Sequence, residues 1–235
     1  MNLSYFKLTV FQSQGKVGGM MTEILPITSR KAMKLARRLL REGEVIAFPT
    51  DTVYGLGANA FERFAVRQIF AIKERPAHKA LPVFIYQMDD LNLVARHVPG
   101  YAWPLLQAYW PGALTVVLPK NPKLPEEVTA GQNSVGVRIP DHVVALDLVA
   151  QVGHPLAVTS ANLSGQPAST TAEGVAEQLR GRIPLILDGG PSPGQQTSTI
   201  VDLISRPPRL LRSGHLSLAA LREFLPDLVG NDEDV

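Results

Sequence analysis

Residues 45–57 read VIAFPTDTVYGLG and join a short apolar run to a polar loop. The apolar run over residues 45–48 predicts a buried strand, and Pro49 ends it because proline cannot donate a ladder hydrogen bond. The loop over residues 50–57 therefore begins at the end of a buried strand. Ligands of open α/β sheets bind beyond strand ends, so this loop is the first candidate site.

Helical and strand patterns alternate irregularly on both sides of this segment. Ser29 is a suitable N-cap, and apolar residues then recur at helical spacing until Gly43. Further helices are predicted over residues 61–73, 91–97, 101–109, 143–152 and 172–179, and strands over residues 81–86, 114–118, 135–139, 156–159, 185–187, 199–203 and 210–212. Some strands follow one another directly, so an α/β fold with a mixed twisted sheet flanked by helices is favoured over a purely parallel one.

The composition describes a chain that folds on an apolar core. Of its 235 residues, 45% are hydrophobic and none is cysteine, which excludes disulfides, thiolate metal sites and thiol catalysis. No apolar run approaches the ~18 residues of a membrane span, so we expect a cytoplasmic protein without membrane contact. One domain is expected over residues 22–225, with residues 1–21 as a mobile arm or an over-long gene start and residues 226–235 as an acidic tail.

Charge is distributed unevenly, although the formal net charge is only +2. Residues 30–41 contain six basic residues and no acidic one, whereas Asp227, Asp232, Glu233 and Asp234 lie near the end of the sequence. Two interpretations of the basic helix are open, a solvated helix face and a stripe that faces the phosphates of RNA.

Two further polar loops follow predicted strands, at residues 160–165 and 189–198. Ser, Asn and Gly also form ordinary turns, so any one loop has a second explanation. Three such loops in one chain favour a shared ligand site.

Several cations accompany these loops. Strand alternation places Arg138 on the face opposite Val135 and Val137, toward the expected crevice. Its guanidinium needs a carboxylate or a phosphate partner, so an internal salt bridge and an anion site are both open. The other cations of the set are Lys73, Arg75, Lys79 and Arg212. Since neither a P-loop nor a dinucleotide glycine motif occurs, the residues predict an anion or nucleotide site without fixing the reaction.

Histidines and acids do not indicate a metal site. The five histidines lack metal-ligand spacing, and Asp51 and Asp188 are as suited to capping turns as to binding a cation. No sequence-level base accompanies the loop serines, so a protein nucleophile is not predicted.

The ordered motifs resemble the YrdC-like family of threonylcarbamoyl-AMP synthases, over about residues 43–218. The resemblance rests on Lys73-Glu74-Arg75, on Ser160-Ala161-Asn162 and on the segments at residues 49–57, 110–112, 137–140, 188–190, 198–202 and 211–214. It implies a YrdC-like mixed sheet with a large concave basic cleft, in the short form of the family that has a single domain.

The resemblance also implies a nucleotidyltransferase that combines L-threonine, bicarbonate and ATP into threonylcarbamoyl-AMP and pyrophosphate, usually with Mg²⁺. A separate threonylcarbamoyl transferase complex would then modify tRNA with the product. By position in the motifs, threonine would be held by Thr50, Arg138, Ser160 and Ser198, and ATP by Lys73, Arg75, Lys79, Ser134, Asn162, Thr170 and Arg212. The catalytic set would be Lys73, Arg75, Ser160 and Asn162. Such chemistry relies on positioning and charge neutralisation.

Two features of the sequence depart from the family pattern. Phe84 stands where a His is often found near the threonine pocket, and residues 195–197 lack the usual Glu, which bears on amino-acid selectivity.

Two other functions are open. An RNA-binding module is disfavoured because only 6% of residues are aromatic and base stacking needs aromatic rings. A carbamoyl-transfer domain acting on another small molecule is disfavoured by the lack of a zinc-finger or acylphosphatase-like segment.

Overall fold

The computed structural model describes residues 21–194 and 196–230, so the predictions for residues 1–20 and for the acidic residues 232–234 lie outside the described residues. Strands of this part are β1 (Glu23–Pro26), β2 (Ile46–Phe48), β3 (Gly55–Asn59), β4 (Val83–Phe84), β5 (Leu114–Pro119), β6 (Ser134–Arg138), β7 (Leu156–Ser160), β8 (Leu185–Asp188), β9 (Thr199–Asp202) and β10 (Arg209–Arg212). Helices are α1 (Arg30–Arg41), α2 (Arg63–Lys73), α3 (Leu91–Val94), α4 (Trp103–Tyr109), α5 (Glu126–Thr129), α6 (Val143–Val152), α7 (Ala172–Leu179) and α8 (Leu218–Arg222).

The described strands form a single mixed sheet in the order β1-β8-β2-β3-β7-β4-β6-β5-β9-β10. The sheet contains parallel pairs, such as β1 with β8 and β5 with β9, and antiparallel pairs, such as β3 with β7. The predicted mixed α/β sheet flanked by helices is therefore confirmed.

Local sequence signals place several elements as predicted. Ser29 caps α1, where its hydroxyl accepts from the Ala32 amide at 3.3 Å, and α6 and α7 occupy their predicted ranges. The strand β2 follows from its apolar run, with all three residues buried.

The predicted loop over residues 50–57 is wrong in its last part, because Gly55–Asn59 forms β3 between β2 and β7. A Cβ atom at Gly57 would lie 2.8 Å from the Phe48 ring, and one at Gly55 would lie 3.0 Å from the Val158 side chain. Glycine therefore lets these large side chains cross the strand, and the glycines that suggested a turn serve close packing instead.

The predicted strand over residues 81–86 is shorter in the structure, where β4 covers only Val83–Phe84. Before it, the Leu81 amide donates to the Val128 carbonyl at 2.8 Å and so leaves the ladder. The elements β1, α5 and α8 were not predicted because each has only four or five residues and shows no clear period.

The sheet carries a core on each face. Helices α1 and α6 cover one face, with Ala36, Leu40 and Leu148 packed on Phe48 and Leu185. On the other face, residues of α2, α4 and α7 bury a second cluster that also includes Leu225 and Leu228. Packing thus extends into the segment predicted as a tail, whereas the domain boundaries remain a prediction. Among the described helices, none combines the length and apolar character needed to cross a bilayer.

Candidate active site

A cavity of about 210 Å³ lies where the loop after β2, the end of β7 and the segment before β9 meet. Predicted site residues that line it are Thr50, Arg75, Arg138, Ser160, Ser198 and Arg212. Residues from distant parts of the sequence are thereby brought together at one site. The wall also contains Phe84, Val158 and Thr115. Thr115 was not predicted because it lies in an apolar strand, with nothing in the sequence to separate it from the core.

Arg138 is buried in the cavity wall and has a carboxylate partner. Its Nη2 donates to Asp51 Oδ2 at 2.6 Å, Nη1 to Thr52 Oγ1 at 3.2 Å, and Nε to the Gly112 carbonyl at 2.8 Å. Burial lowers the pKa of Arg138, and the negative charge of Asp51 opposes that shift. The internal salt bridge is thus present, yet Arg138 still faces the cavity. Both Nη atoms keep a second N–H beyond these bonds.

Arg75 and Arg212 line the cavity without carboxylate partners among the residues that the structure describes. Arg75 donates from Nη2 to the Ala80 carbonyl at 2.9 Å, and Arg212 donates from Nη2 to the Ser198 carbonyl at 2.6 Å. Burial, followed by the positive charges of Arg138 and Arg75, lowers the pKa of Arg212. The three guanidinium groups are therefore close enough to repel, and an anion in the cavity would relieve that repulsion.

Hydroxyl groups in the wall are held by short hydrogen bonds. Thr50 Oγ1 donates to the Val53 carbonyl at 2.7 Å and accepts from the Thr52 amide at 3.1 Å. Ser198 Oγ lies 2.8 Å from Thr115 Oγ1. These bonds fix the hydroxyls before a ligand arrives, which reduces the entropy lost on binding.

Lys73 belongs to the predicted set of site cations but does not line the cavity. It is 1% exposed, and its Nζ donates to the Ser160 carbonyl, to the Asn162 carbonyl at 2.6 Å and to Asn162 Oδ1 at 3.2 Å. Burial, assisted by the positive charge of Arg75, lowers the pKa of Lys73 to about 7. Lys73 therefore ties the end of α2 to the loop after β7, and Asn162 is buried with it.

The remaining predicted ATP ligands lie apart from the first cavity. Ser134 lines a neighbouring cavity of about 350 Å³ together with Gln132 and Asp202. Lys79 is exposed on the surface, and its carbonyl accepts from Arg75 Nε at 3.1 Å. The Thr170 carbonyl accepts from the Ser192 amide at 2.8 Å. The two cavities share Ala80, Pro82, Thr115 and Ile200 as wall residues, so they adjoin.

Metal ligands are not clustered in the part of the chain that the structure covers. No group of three or more His, Asp or Glu side chains there could hold a metal ion. The Asp51 carboxylate behind the cavity wall is paired with Arg138. These residues do not fit a Mg²⁺ site built from protein side chains.

Close backbone contacts fix the loop that carries Ser198. A Cβ atom at Gly214 would lie 2.5 Å from the Thr197 carbonyl oxygen and 2.6 Å from the Thr199 amide nitrogen. Tyr54 donates from its hydroxyl to the Gly190 carbonyl at 2.7 Å, which holds the other end of the same connection. The position of the Ser198 hydroxyl thus depends on glycine at residue 214.

We expect Gly214→Ala to destabilise the protein and to displace Ser198, because the added methyl group meets backbone atoms that cannot rotate away. The free energy of unfolding should fall by about 1–3 kcal/mol, measured by urea denaturation. Gly100→Ala is the matched control, since nothing lies within 4 Å of a Cβ atom there. Equal stability of the two variants would contradict the close approach.

Two proteins of known name are similar to this chain in sequence. A threonylcarbamoyl-AMP synthase of Pyrococcus abyssi (strain GE5 / Orsay) is 42% identical over 196 residues, which are 83% of this chain and 58% of that relative. A threonylcarbamoyl-AMP synthase of Bacillus subtilis (strain 168) is 47% identical over 183 residues, 77% of this chain and 53% of that relative. This chain therefore spans between half and three-fifths of their length.

A solved structure also matches the fold of this chain. The crystal structure of P. abyssi Sua5 complexed with L-threonine matches with a TM-score of 0.84 at 40% identity, over 90% of this chain and 62% of that one. The family described as "Telomere recombination" (Sua5_yciO_yrdC) matches residues 38–214, which is more than half of the chain. The resemblance found in the motifs is thereby confirmed, and the chain belongs to the Sua5/YciO/YrdC family.

Proposed function

We propose that this chain forms threonylcarbamoyl-AMP and diphosphate from L-threonine, bicarbonate and ATP, for the modification of tRNA to N6-threonylcarbamoyladenosine. The observation that carries the proposal is the composition of one cavity wall. It combines Arg138, which is paired with a carboxylate, with Arg75 and Arg212, which have no carboxylate partner among the described residues. Such a wall suits one amino acid and one polyphosphate side by side. Relatives named threonylcarbamoyl-AMP synthase and the threonine complex of P. abyssi Sua5 support this assignment.

The amino acid would occupy the Arg138 end of the cavity. The remaining N–H groups of Arg138 can donate to the threonine carboxylate, because carboxylates accept paired bonds from a guanidinium. Thr50, Ser160 and Ser198 supply hydroxyl or carbonyl partners around it. Phe84 and Val158 form the apolar part of the same wall and would contact the threonine methyl group.

The triphosphate would lie against Arg75 and Arg212, and the nucleoside would extend toward the adjoining cavity that Ser134 lines. Lys73 and Asn162 act on this site through position, because Lys73 holds the Ser160 carbonyl and both are buried behind the wall. Lys79 and Thr170 remain predicted ATP ligands. Any Mg²⁺ would be carried by the nucleotide phosphates, and no step here is assigned to it.

The chemistry follows from these positions. The threonine amine forms a C–N bond to the bicarbonate carbon as a C–O bond breaks and water leaves, which gives the carbamate. A carbamate oxygen then attacks the α-phosphorus while pyrophosphate leaves. Arg75 and Arg212 neutralise the charge that develops on the leaving phosphates. The enzyme gains rate by holding the two substrates in line, and a protein nucleophile takes no part. The product would pass to a separate threonylcarbamoyl transferase complex that acts on tRNA.

The test is the substrate requirement of the purified chain. Incubated with ATP, L-threonine and bicarbonate, it should release pyrophosphate and form threonylcarbamoyl-AMP, detected by mass spectrometry. Omission of either threonine or bicarbonate should abolish both signals, since the attacking group is made from the two. Pyrophosphate release that continues at the same rate without one of them would reject the reaction. Replacing threonine by other amino acids or by a carbamoyl donor tests the alternative of another small-molecule acceptor.

A further inference from the structure

The three guanidinium groups of the cavity differ in how their charge is balanced. Arg138 Nη2 lies 2.6 Å from Asp51 Oδ2, and the two side chains are only 4% and 13% exposed. Arg75 and Arg212 donate to carbonyl and hydroxyl oxygens, which carry no formal charge. In the described part of the chain, the positive charge of the wall is therefore neutralised at Arg138 and left at Arg75 and Arg212.

Asp51 contacts the cavity wall through Arg138. It does not line the cavity, whereas its neighbours Thr50 and Thr52 do. Its Oδ2 is bonded to Arg138, and its Oδ1 is buried without a hydrogen-bond partner among the described residues. The loop that carries it is held by the bond from the Thr52 amide to Thr50 Oγ1. Asp51 is thus a positioning residue with a fixed charge close behind the wall.

Electrostatic interactions predict which ligand binds near Arg138 and which binds near Arg75 and Arg212. A polyphosphate gains most from cations that lack a partner, and a nearby carboxylate repels it. A zwitterionic amino acid has no net charge, so it loses little near the Asp51–Arg138 pair and can still accept hydrogen bonds from the guanidinium. If Arg138 also lacked a carboxylate partner, a phosphate could bind equally well to any of the three guanidinium groups.

We propose that Asp51 partitions the cavity, reserving the Arg138 end for the amino acid by excluding phosphate from it and leaving Arg75 and Arg212 to bind phosphate. The assignment of the amino acid as threonine rests on the proposed function, whereas the exclusion of phosphate does not. Asp51 is therefore a specificity-determining residue that touches neither substrate.

The experiment measures binding of inorganic pyrophosphate and of L-threonine by calorimetry, separately and together. In the unchanged protein both should bind at once, with the threonine Kd changing less than about two-fold at saturating pyrophosphate. In Asp51→Asn, pyrophosphate should bind about ten-fold more tightly and should displace threonine, because the repelling charge is gone. Asp51→Glu keeps the charge and should retain simultaneous binding.

Asp147→Asn is the matched control. It removes one negative charge from a pair with Arg37 between α1 and α6, outside the cavity, and should leave both affinities unchanged. Circular dichroism establishes that each variant is folded. If Asp51→Asn does not fold, competition in the unchanged protein decides, since mutual exclusion of pyrophosphate and threonine there overturns the partition. Unaltered pyrophosphate affinity in folded Asp51→Asn overturns it as well.

The outcome separates this inference from the proposed function. If the unchanged protein binds both ligands together but forms no threonylcarbamoyl-AMP, the proposed function fails and the partition stands. If it forms threonylcarbamoyl-AMP while pyrophosphate excludes threonine, only the partition fails. If threonine does not bind at all, the pyrophosphate affinity of Asp51→Asn still decides.

Discussion

Replacing Arg138 by Lys is expected to raise the threonine KM by about ten-fold or more, equivalent to ~1.4 kcal/mol, with a much smaller effect on the KM for ATP. Lys keeps the charge but lacks the planar fork that can bond Asp51, Thr52 and a carboxylate at once. Steady-state kinetics with each substrate varied in turn measures both constants.

The same substitution should also lower the melting temperature, because Arg138 bonds Asp51 and the Gly112 carbonyl in the folded protein. Stability and threonine affinity are therefore expected to change together. Arg37→Lys, in the half-buried pair with Asp147, is the matched control and should leave both KM values unaltered. An unchanged threonine KM in Arg138→Lys would remove Arg138 from the amino-acid site.

Lys73→Met is expected to lower the free energy of unfolding by about 2–4 kcal/mol at pH 9, because the oxygens of Ser160 and Asn162 lose their donor inside the protein. Met has a similar length and no hydrogen-bond donor, so the cavity left behind is small. Urea denaturation of both proteins measures the difference, and Lys34→Met on the exposed face of α1 is the control.

The stability difference between the two proteins should depend on pH. The pKa of Lys73 is about 7 in the folded protein and ordinarily 10.5, so between these values the unfolded chain binds more protons. The stability of the unchanged protein therefore rises with pH across this window, by at most about 1.4 kcal/mol per pH unit, and Lys73→Met lacks the rise. The gap should be smallest near pH 7 and widen toward pH 10. Parallel pH profiles would contradict a buried lysine of lowered pKa.

Helices and strands that have a clear apolar pattern can be predicted from the sequence. Contacts that only the folded chain creates cannot. Helices α6 and α7 follow from apolar periodicity, and β2 follows from its apolar run. The glycines of β3 suggested a turn, because the ring of Phe48 that they accommodate becomes their neighbour only in the sheet. Local pattern thus fails where tertiary packing decides the residue type.

The candidate site could likewise be predicted only in part from the sequence. The motifs include Arg138, Arg75 and Arg212, and all three line the cavity in the structure. The pairing of Arg138 with Asp51 joins residues 87 positions apart and could not be predicted from spacing. The burial of Lys73 was also missed, because its acceptors are mainly backbone carbonyls, which every residue has.

The connection from β8 to β9 is too short for a flat sheet. These strands are seven intervals apart in the strand order, roughly 34 Å in a flat sheet with ~4.8 Å between strands. The ten residues 189–198 between them would have to be almost fully extended to span it. They turn at Gly190 and approach Thr52 at Gly194 instead, so the sheet must curl enough for the connection to reach from β8 to β9. This short connection thereby sets an upper limit on the distance between the end of β8 and the start of β9.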